Sequence, residues 1–359
     1  MMAPNIIQSP VLPRSPRPIV IIGAGGIVRD AHLPAYKKAG FLVHGITDLV
    51  REKAEALAKA YAIPNVYPST EEAVRLAPPN VVYDVAVPAS AMLSILERLP
   101  EGSVVLMQKP MGENLQEARA IRDLCRERRF TAAVNFQLRY APFIMAARSL
   151  IEQGVIGEVH DMEVRVLVNT PWHMWTFFET IPRVEILYHS VHYLDLVRSF
   201  LGEPKGIYAK TVKHPLQPRL ASTRSAILLD YGEMTRATIT ANHGHSYGLR
   251  HQESYVKWEG THGAIKAVMG LLLNYPKGMP DALEYCTTEN GQLTEWRSVP
   301  LEGSWFPDGF IGTMSSIMCF AESSGDALPT SVEDAFKTMA LVEAAYHSSE
   351  SGATSVSYE

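Results

Sequence analysis

The feature that most constrains this chain is an apolar run that ends at closely spaced glycines. Residues 19–22 are all β-branched, and Gly23, Gly25 and Gly26 follow them. The run predicts a buried parallel strand, and the glycines let backbone N–H groups approach a pyrophosphate at the start of a helix. The spacing is therefore typical of a dinucleotide-binding βα turn, although a βα turn without a ligand can carry the same glycines.

An acidic residue further along the chain strengthens this interpretation. Asp48 follows a second apolar run, residues 41–47, about 20 residues after the glycines, where dinucleotide-binding folds place the acid that binds the adenosine ribose. No Arg or Lys directly follows Asp48, and its charge disfavours a 2′-phosphate. We therefore expect NAD as the cofactor, with NADP less favoured.

Composition restricts the functional class. The chain has 359 residues, of which 47% are hydrophobic and 20% are charged, as in a globular protein of two domains. A net charge of −5 gives no electrostatic reason to bind nucleic acid or an acidic membrane surface. Three scattered cysteines and an N-terminus without a signal-peptide pattern favour the cytoplasm. We expect a cytoplasmic protein that binds a small molecule and neither nucleic acid nor a membrane.

The order of predicted elements indicates an α/β protein of two domains behind a short leader. Residues 1–17 are rich in proline and predict a flexible leader. Residues 18–138 alternate between strand and helix patterns, which favours a parallel sheet with right-handed crossovers. Residues 139–359 contain consecutive strand patterns, so we expect an α+β domain with a large, mostly antiparallel open sheet.

Ligands of a parallel sheet bind beyond the carboxyl ends of its strands, so the residues there are the candidate cofactor contacts. They are Gly23, Gly25, Gly26, Ile27, Val28, Asp48, Pro88, Gln108, Lys109 and Gln137. Lys109 is also a candidate for chemistry, because a cation beside a reacting hydroxyl favours the developing alkoxide. Pro110 restricts the backbone of Lys109, which argues against a chance surface lysine.

A second group of polar residues lies in a predicted helix, residues 185–201. On an α-helix His192 shares a face with Tyr188 and with His189, and Asp195 follows three residues later. Histidine suits general acid–base catalysis because its charge changes near neutral pH. The alternative is a helix that carries two ordinary half-buried histidines.

The same spacing raises the question of a metal ion. His189, His192 and Asp195 recur at intervals of three, as zinc ligands can, but this segment lacks the glutamate of an HExxH motif and a cysteine ligand. His243 and His245 form a second pair at strand spacing. We expect no catalytic metal.

Several segments together resemble the glucose–fructose oxidoreductase and inositol dehydrogenase family, Gfo/Idh/MocA. They are residues 23–28, 31–34, 108–110, 135–139, 192–195 and the closing segment 331–352. The resemblance covers nearly the whole chain and implies an N-terminal Rossmann domain, then a domain whose open sheet contacts substrate on one side and other subunits on the other. By this resemblance Lys109 is the motif lysine and His192 is the catalytic histidine.

Three residues depart from the family pattern. Gln108 replaces a glutamate, Tyr188 replaces an aspartate that assists catalysis in many members, and Met92 stands where a histidine is common. The family also includes regulatory members. A dinucleotide-binding sensor without turnover therefore stays open as an alternative to an enzyme.

The resemblance implies an NAD-dependent sugar or polyol dehydrogenase, which forms a lactone if the oxidised carbon is anomeric. His192 is then the base, Lys109 orients the hydroxyl oxygen and Tyr188 donates a hydrogen bond to the substrate. The candidate substrate contacts combine aromatic faces with polar groups, as carbohydrate sites do. They are Lys109, Trp172, His173, Trp175, Arg183, Glu185, Tyr188, His189 and His192.

Apolar strand patterns predict association between subunits. Residues 226–229 and 269–273 are composed of apolar residues and one glycine, and residues 264–273 are predicted to form one strand. Too few helices follow to cover both faces of the second sheet. We therefore expect a homodimer or homotetramer that associates through the outer face of this sheet.

Overall fold

A computed structural model describes residues 4–289, 291–323 and 327–357, which divide into two compact units. The first, here called the parallel-sheet unit, comprises residues 8–145 and 302–339. The second, the mixed-sheet unit, comprises residues before 8, residues 146–301 and residues after 339. The change of unit after residue 145 lies near the predicted boundary at 138. Residues 302–339, by contrast, were expected in the second domain and belong to the first unit.

Within the described residues of the parallel-sheet unit, six strands form one parallel sheet. The strands are β1 (Ile19–Ile22), β2 (Val43–Thr47), β3 (Asn65–Val66), β4 (Val82–Val85), β5 (Val104–Met107) and β6 (Thr131–Val134). Their order in the sheet is β3-β2-β1-β4-β5-β6. The chain order therefore reverses beside β1, which pairs with β2 on one side and β4 on the other. In such sheets the crevice at this reversal is the usual ligand site.

The α-helices of both units follow in chain order. They are α1 (Leu33–Ala39), α2 (Arg51–Tyr61), α3 (Thr70–Leu76), α4 (Ala89–Leu96), α5 (Leu115–Glu127), α6 (Pro142–Glu152), α7 (Val191–Leu201), α8 (Trp305–Ser323) and α9 (Val332–Ser351). Local sequence explains several helix starts. Asn114 caps α5, because its Oδ1 accepts the backbone N–H of Glu117 at 2.9 Å, and Glu117 Oε2 accepts the N–H of Glu113 at 2.8 Å.

Helix α8 belongs to the core of the parallel-sheet unit. Phe310 and Met314 are fully buried in the same cluster as Ile21 and Val28. No prediction covered this helix, and its burial is the reason that residues 302–339 pack with the first unit. The closing segment 331–352, one of those that carry the family resemblance, contains helix α9, which ends at Ser351.

The mixed-sheet unit is built on a nine-stranded sheet within the part of the chain that the structure describes. The strands are β7 (Val159–Leu167), β8 (Gly206–Val212), β9 (Arg224–Asp230), β10 (Arg236–Asn242), β11 (Glu253–Gly260), β12 (Gly263–Val268), β13 (Ala282–Glu289), β14 (Gln292–Leu293) and β15 (Arg297–Ser298). The order is β14-β13-β12-β11-β7-β10-β9-β8, with β15 paired to β13. Only β7 and β10 pair in parallel among the described strands of this sheet. The predicted α/β fold class with a mostly antiparallel second sheet is confirmed.

Two expectations about this sheet are wrong. The predicted strand over residues 264–273 ends at Val268, and Gly270–Leu272 is a 3₁₀ turn preceded by the fully buried Met269. The apolar run 226–229 alternates, because Ile227 and Leu229 are buried while residues 226 and 228 are exposed. An alternating strand buries one face only, so these runs do not form a continuous apolar surface.

The leader was expected to be flexible. Its described residues instead make specific hydrogen bonds to both units. In the mixed-sheet unit Gln153 Oε1 accepts the N–H of Asn5 at 3.1 Å. In the parallel-sheet unit the carboxylate of Glu322 accepts the N–H groups of Arg14 at 3.1 Å and Ser15 at 2.7 Å. Across residues 4–289, 291–323 and 327–357, no helix combines the length and the apolar character that a membrane crossing requires.

Candidate functional site

The turn after β1 has the backbone geometry that its glycines suggest. Gly23 has a φ of 107°, and a Cβ there would lie 2.3 Å from the carbonyl oxygen of Ala86, so only glycine fits. A Cβ added at Gly25 would meet nothing within 4 Å. The carbonyl oxygen of Gly25 accepts the N–H groups of Val28 and Arg29, both at 3.2 Å, and so begins the helix. The turn thus has open space beside Gly25 at the start of a helix, where an anion can approach the backbone.

Asp48 connects the ends of β1 and β2. Its Oδ2 accepts the backbone N–H of Ala24 at 2.6 Å, and its Oδ1 accepts that of Val50 at 2.8 Å. The side chain is partly exposed, and each carboxylate oxygen can accept a further hydrogen bond. Asp48 therefore holds the glycine turn in place, a role that its spacing did not suggest, and can still accept ribose hydroxyls.

The other predicted cofactor contacts lie at the same edge of the parallel sheet. Pro88 follows β4 and precedes α4, and Gln137 begins a 3₁₀ turn after β6. Not all of them offer a side chain to a ligand. Val28 is fully buried and Gln137 is 3% exposed, so the Val28 side chain serves the core. The remaining positions stay predictions, because parallel strands bring their carboxyl ends together but do not decide which side chain binds.

Lys109 follows β5 at this edge and is half-buried. Burial lowers the pKa of its ammonium group from 10.5 to about 8. The backbone N–H of Lys109 donates to Gln108 Oε1 at 2.8 Å, and the Lys109–Pro110 peptide bond is cis. An amine with this pKa can hold a proton at neutral pH and exchange it at moderate cost, which suits proton transfer or stabilisation of an oxyanion.

A buried polar network lies behind Gln108. Gln108 Nε2 is 3.2 Å from His32 Nε2, and His32 Nδ1 is 2.7 Å from Asp84 Oδ2. Tyr36 donates its hydroxyl to the same Asp84 oxygen at 2.8 Å, and burial together with the Asp84 charge raises the pKa of Tyr36. No prediction singled out Asp84. The available signal was one acidic residue within the apolar run 81–87, where a charge is costly unless it is paired.

In the mixed-sheet unit the predicted helix 185–201 is not one α-helix. Ile186–Ser190 is π-helical, and α7 begins only at Val191. A π-helix pairs backbone groups of residues five apart. The side chains of Ser190 and Glu185, which are also five apart, are joined by a 2.6 Å hydrogen bond from Ser190 Oγ to Glu185 Oε1. The predicted common face of Tyr188 and His192 was based on α-helical spacing, which does not apply across this junction.

Aromatic side chains surround the π-helical segment. The ring of Tyr188 packs edge to face on Phe177 at 5.9 Å and on Phe178 at 5.2 Å between centroids. Trp172 packs in the same way on His189 at 5.3 Å, and Trp175 lies 5.7 Å from the ring of Tyr275. The structure thus brings together most of the predicted aromatic contacts. His173, in contrast, is exposed.

Arg183 and Glu185 make interactions that favour structural roles over substrate contact. Arg183 donates two hydrogen bonds to Glu343 of α9, at 2.8 and 2.9 Å, and lies 4.5 Å above the ring of Tyr346. Glu185 is fully buried and accepts the hydroxyls of Ser190 and Ser225. Their assignment as substrate contacts stays a prediction that these interactions do not favour.

His192 lies at the start of α7 and is 7% exposed, and Asp195 on the same helix is 1% exposed. The neighbouring His189 stacks on His243 at 4.5 Å between ring centroids, and His243 Nδ1 is 2.9 Å from Thr170 Oγ1. Among the residues that the structure describes, no three His, Cys, Asp or Glu side chains are grouped so that they could hold a metal ion.

Comparison with known protein families shows to which family this chain belongs. Residues 17–136 match the family profile described as "Oxidoreductase family, NAD-binding Rossmann fold", and residues 148–357 match its "C-terminal alpha/beta domain". The chain belongs to the Gfo/Idh/MocA oxidoreductase family. The resemblance noted in the sequence is confirmed, as is NAD as the cofactor class.

Individual relatives of this Gfo/Idh/MocA protein are distant. It is 26% identical over 285 residues to D-apiose dehydrogenase of Rhizobium rhizogenes, which covers 76% of this chain and 77% of the relative. It is 26% identical over 194 residues to D-glucoside 3-dehydrogenase of Escherichia coli, covering 53% and 55%. Among solved structures, an Agrobacterium radiobacter oxidoreductase in complex with NAD⁺, L-tartaric acid and magnesium superposes with a TM-score of 0.78 at 21% identity, covering 94% and 97%.

The residues of the parallel-sheet unit fit NAD. The open space beside Gly25 leaves room for a pyrophosphate against the backbone, and the partly exposed Asp48 carboxylate can accept ribose hydroxyls. Lys109 lies at the same sheet edge, after β5. The Rossmann domain of this family member therefore has the glycine turn and the acidic residue that an NAD site uses.

Proposed function

We propose that this protein is an NAD-dependent dehydrogenase that oxidises a hydroxyl carbon of a sugar or polyol. The observation that carries the proposal is Lys109, an amine at the carboxyl end of β5 whose pKa burial lowers to about 8. A protein that only bound the dinucleotide would gain nothing from such a group. The two curated relatives named above, which act on D-apiose and on D-glucosides, support a sugar as the substrate.

The proposed chemistry divides between two side chains. NAD, when bound, supplies the acceptor for the hydride that leaves the hydroxyl-bearing carbon. His192 removes the proton of that hydroxyl group as the general base. Lys109 orients the hydroxyl oxygen and stabilises the partial negative charge that develops on it. If the oxidised carbon is anomeric, the product is a lactone.

Substrate recognition is assigned to the aromatic residues around the π-helical segment. Trp172 and Trp175 offer ring faces for sugar C–H groups, and His189 offers a polar ring nitrogen. The Tyr188 hydroxyl is neutral at pH 7 and can donate a hydrogen bond to a substrate oxygen, which the aspartate common in the family cannot do. This mixture suits a polyhydroxylated ligand better than an apolar one.

The cofactor preference is assigned to Asp48. Its carboxylate accepts two backbone N–H groups and keeps acceptor capacity for the ribose hydroxyls, whereas a 2′-phosphate would meet a like charge there. We therefore include a preference for NAD over NADP in the proposal.

The test is a dehydrogenase screen of the purified protein. Aldoses, polyols and hydroxy acids are each supplied with NAD, and reduced cofactor is followed by its absorbance. Turnover with at least one sugar or polyol is expected. Tight NAD binding without reduction on any substrate would instead favour a dinucleotide-sensing protein.

We also propose that the protein is a homodimer or homotetramer that associates through the outward face of the mixed sheet. Tyr208 on β8 is 64% exposed and Leu228 on β9 is 38% exposed, on a face whose other residues include ion pairs such as Arg165–Glu253. Light scattering at micromolar concentration should give at least twice the mass of one chain, 39.7 kDa. A monomeric mass would refute association, and Leu228→Asp should lower the mass if this face is the interface.

A further inference from the structure

In the polar network behind Gln108, the hydrogen bonds themselves determine which group donates and which accepts. The backbone N–H of Lys109 donates to Gln108 Oε1, so the amide nitrogen of Gln108 must face His32. An amide nitrogen only donates, and His32 Nε2 must therefore accept. The proton of the neutral imidazole is then on Nδ1, where it is donated to Asp84 Oδ2 at 2.7 Å.

The two inner residues of this hydrogen-bonded network, Asp84 and His32, are buried and come from different elements. Asp84 lies in β4, His32 lies in the helical turn after the glycines, and both are fully buried. Asp84 Oδ1 has no hydrogen-bond partner among the described residues, so the strand carries a buried carboxyl group that is only partly satisfied. Burial of such a carboxylate is unfavourable, which means that it must be explained by more than packing.

Two further contacts support the orientation of His32. Asn135 Nδ2 lies 3.4 Å from His32 Nε2, on the side that Gln108 also approaches. Thr313 of α8 donates to Asn135 Oδ1 at 2.8 Å, which turns the amide nitrogen of Asn135 toward the imidazole. The two amides therefore agree in requiring an acceptor at Nε2.

We propose that Asp84 and His32 are positioning residues for Lys109, acting through the side chain of Gln108. Asp84 fixes the His32 tautomer, His32 Nε2 holds the Gln108 amide, and Gln108 Oε1 holds the backbone N–H of Lys109. The inference rests on the proposed function, because it assigns these residues to the placement of the proposed catalytic lysine.

The same chain of bonds explains why a glutamine stands at position 108 here. A glutamate could still accept the N–H of Lys109, but its second oxygen could not donate to His32 Nε2. It would face the lone pair of Nε2 unless the fully buried imidazole took up a second proton and became a cation between two carboxylates. With an acceptor at position 84, a neutral His32 needs a donor at position 108, which glutamine supplies. The effects of substitutions at positions 84 and 108 should therefore not be independent.

The first test exchanges the acid and the amide. Gln108→Glu alone should lower kcat about tenfold with KM little changed, because it either removes the hydrogen bond to the neutral His32 or makes this buried imidazole take up a second proton, and both change the chain of bonds that ends at Lys109. Asp84→Asn alone keeps an acceptor for His32 and should lower kcat about threefold. The double variant reverses the polarity of the whole chain, with the His32 proton on Nε2, and should return kcat to within about threefold of the original enzyme.

Independent effects would multiply in the double variant, so a double variant slower than Gln108→Glu overturns the inference. Asp84→Asn combined with Gln108→Met is the matched control, since methionine cannot take part in the exchanged hydrogen bonds and should give no recovery. Thermal unfolding of every variant shows whether a loss of rate is a loss of folded protein.

The second test does not depend on turnover. Hydrogen exchange of the Lys109 amide, followed by NMR, should be at least tenfold faster in His32→Leu, which releases the Gln108 side chain. His32→Gln, whose amide can replace both ring nitrogens, should restore slow exchange. If the protein reduces NAD on no substrate, the proposed function fails, and this exchange measurement alone decides the inference: equal exchange in all three proteins refutes it.

Discussion

The two units position their candidate residues by different means. In the parallel-sheet unit, Asp48 follows β2 and Lys109 follows Gln108 at the end of β5. The Asp48 carboxylate accepts the backbone N–H of Ala24, and the backbone N–H of Lys109 donates to Gln108 Oε1. In the mixed-sheet unit, Tyr188 and His189 lie in a π-helical segment, with aromatic rings around them. A strand end has one position and direction once the sheet is formed, whereas a π-to-α junction changes the angle between successive side chains.

This difference suggests a division of labour between the units. The parallel-sheet unit provides a cofactor site whose geometry depends on backbone hydrogen bonds and therefore tolerates little change. The mixed-sheet unit provides ring surfaces that pack on one another, and such packing can be adjusted to different substrates. Substitutions in the first should therefore affect the chemical step, and substitutions in the second should mainly affect substrate recognition.

The largest effects are expected from the two proposed catalytic side chains. Lys109→Ala and His192→Ala should each lower kcat by a factor on the order of 10²–10⁴, the usual contribution of a positioned acid–base group. NAD affinity, measured by calorimetry, should stay within about threefold because neither group is needed for dinucleotide binding. Lys59→Ala on the exposed side of α2 and His160→Ala on β7 are matched controls that should keep full activity. A near-normal rate in a folded Lys109 or His192 variant would remove that residue from the mechanism.

Two substitutions of Asp48 distinguish the effect of its charge from that of its hydrogen bonds in the proposed cofactor site. Asp48→Ala should reduce the preference for NAD over NADP by about ten- to a hundredfold in kcat/KM, since it removes both the ribose acceptor and the repulsion of a 2′-phosphate. Asp48→Asn keeps an acceptor for the N–H of Ala24 and should bind NAD better than the alanine variant, while losing the same repulsion. Equal efficiency with both cofactors in the unaltered protein would contradict the assigned role.

The pH dependence tests the state of Lys109. Its ammonium form is the active one in the proposed mechanism, and burial lowers the pKa to about 8. As pH rises through this value the proton is lost, so kcat/KM should fall about tenfold for each pH unit above 8. Lys109→Arg stays protonated in this range, and its remaining activity should lack the decline near pH 8. The same decline in both proteins would assign it to another group.

The smallest of these effects belongs to the mixed-sheet unit. Tyr188→Phe keeps the ring that packs on Phe177 and Phe178 and removes only the hydroxyl. It should lower kcat/KM about tenfold, the loss of one useful hydrogen bond, without changing NAD affinity. Phe177→Leu is a packing control, since it alters the ring contact and leaves the hydroxyl. An unchanged kcat/KM in Tyr188→Phe would show that this side chain only packs.

The sequence predicted the parallel-sheet unit well because its signals are local. Strand β1 was predicted to the residue, and the glycine turn, Asp48 and Lys109 all lie at the expected strand ends. The network around His32 was not predictable, because it joins Asp84, His32 and Gln108 from distant parts of the chain and leaves only an isolated acid in an apolar strand as a signal.

Helix α8 shows a second limit. Its sequence contains Gly309 and Gly312, which weaken a helical pattern, and it has few polar residues to define a face. The structure gives the reason for both glycines. A Cβ at Gly312 would lie 2.2 Å from the Tyr140 side chain, and one at Gly309 would lie 2.6 Å from the carbonyl oxygen of Gln137. The close contact of α8 with residues 137–140 therefore requires glycine at positions 309 and 312. The same glycines lower the helix propensity of the segment, so the sequence did not predict this helix.

The most direct test of the central claim follows the hydride itself. The best substrate of the screen is deuterated at the carbon that becomes oxidised, and the reduced cofactor is analysed by mass spectrometry and NMR. The account predicts one deuterium per reduced cofactor at nicotinamide C4, formed by the unaltered protein and at a rate lowered by a factor on the order of 10² or more in Lys109→Ala. Reduced cofactor without deuterium, or equal rates in the two proteins, would contradict it.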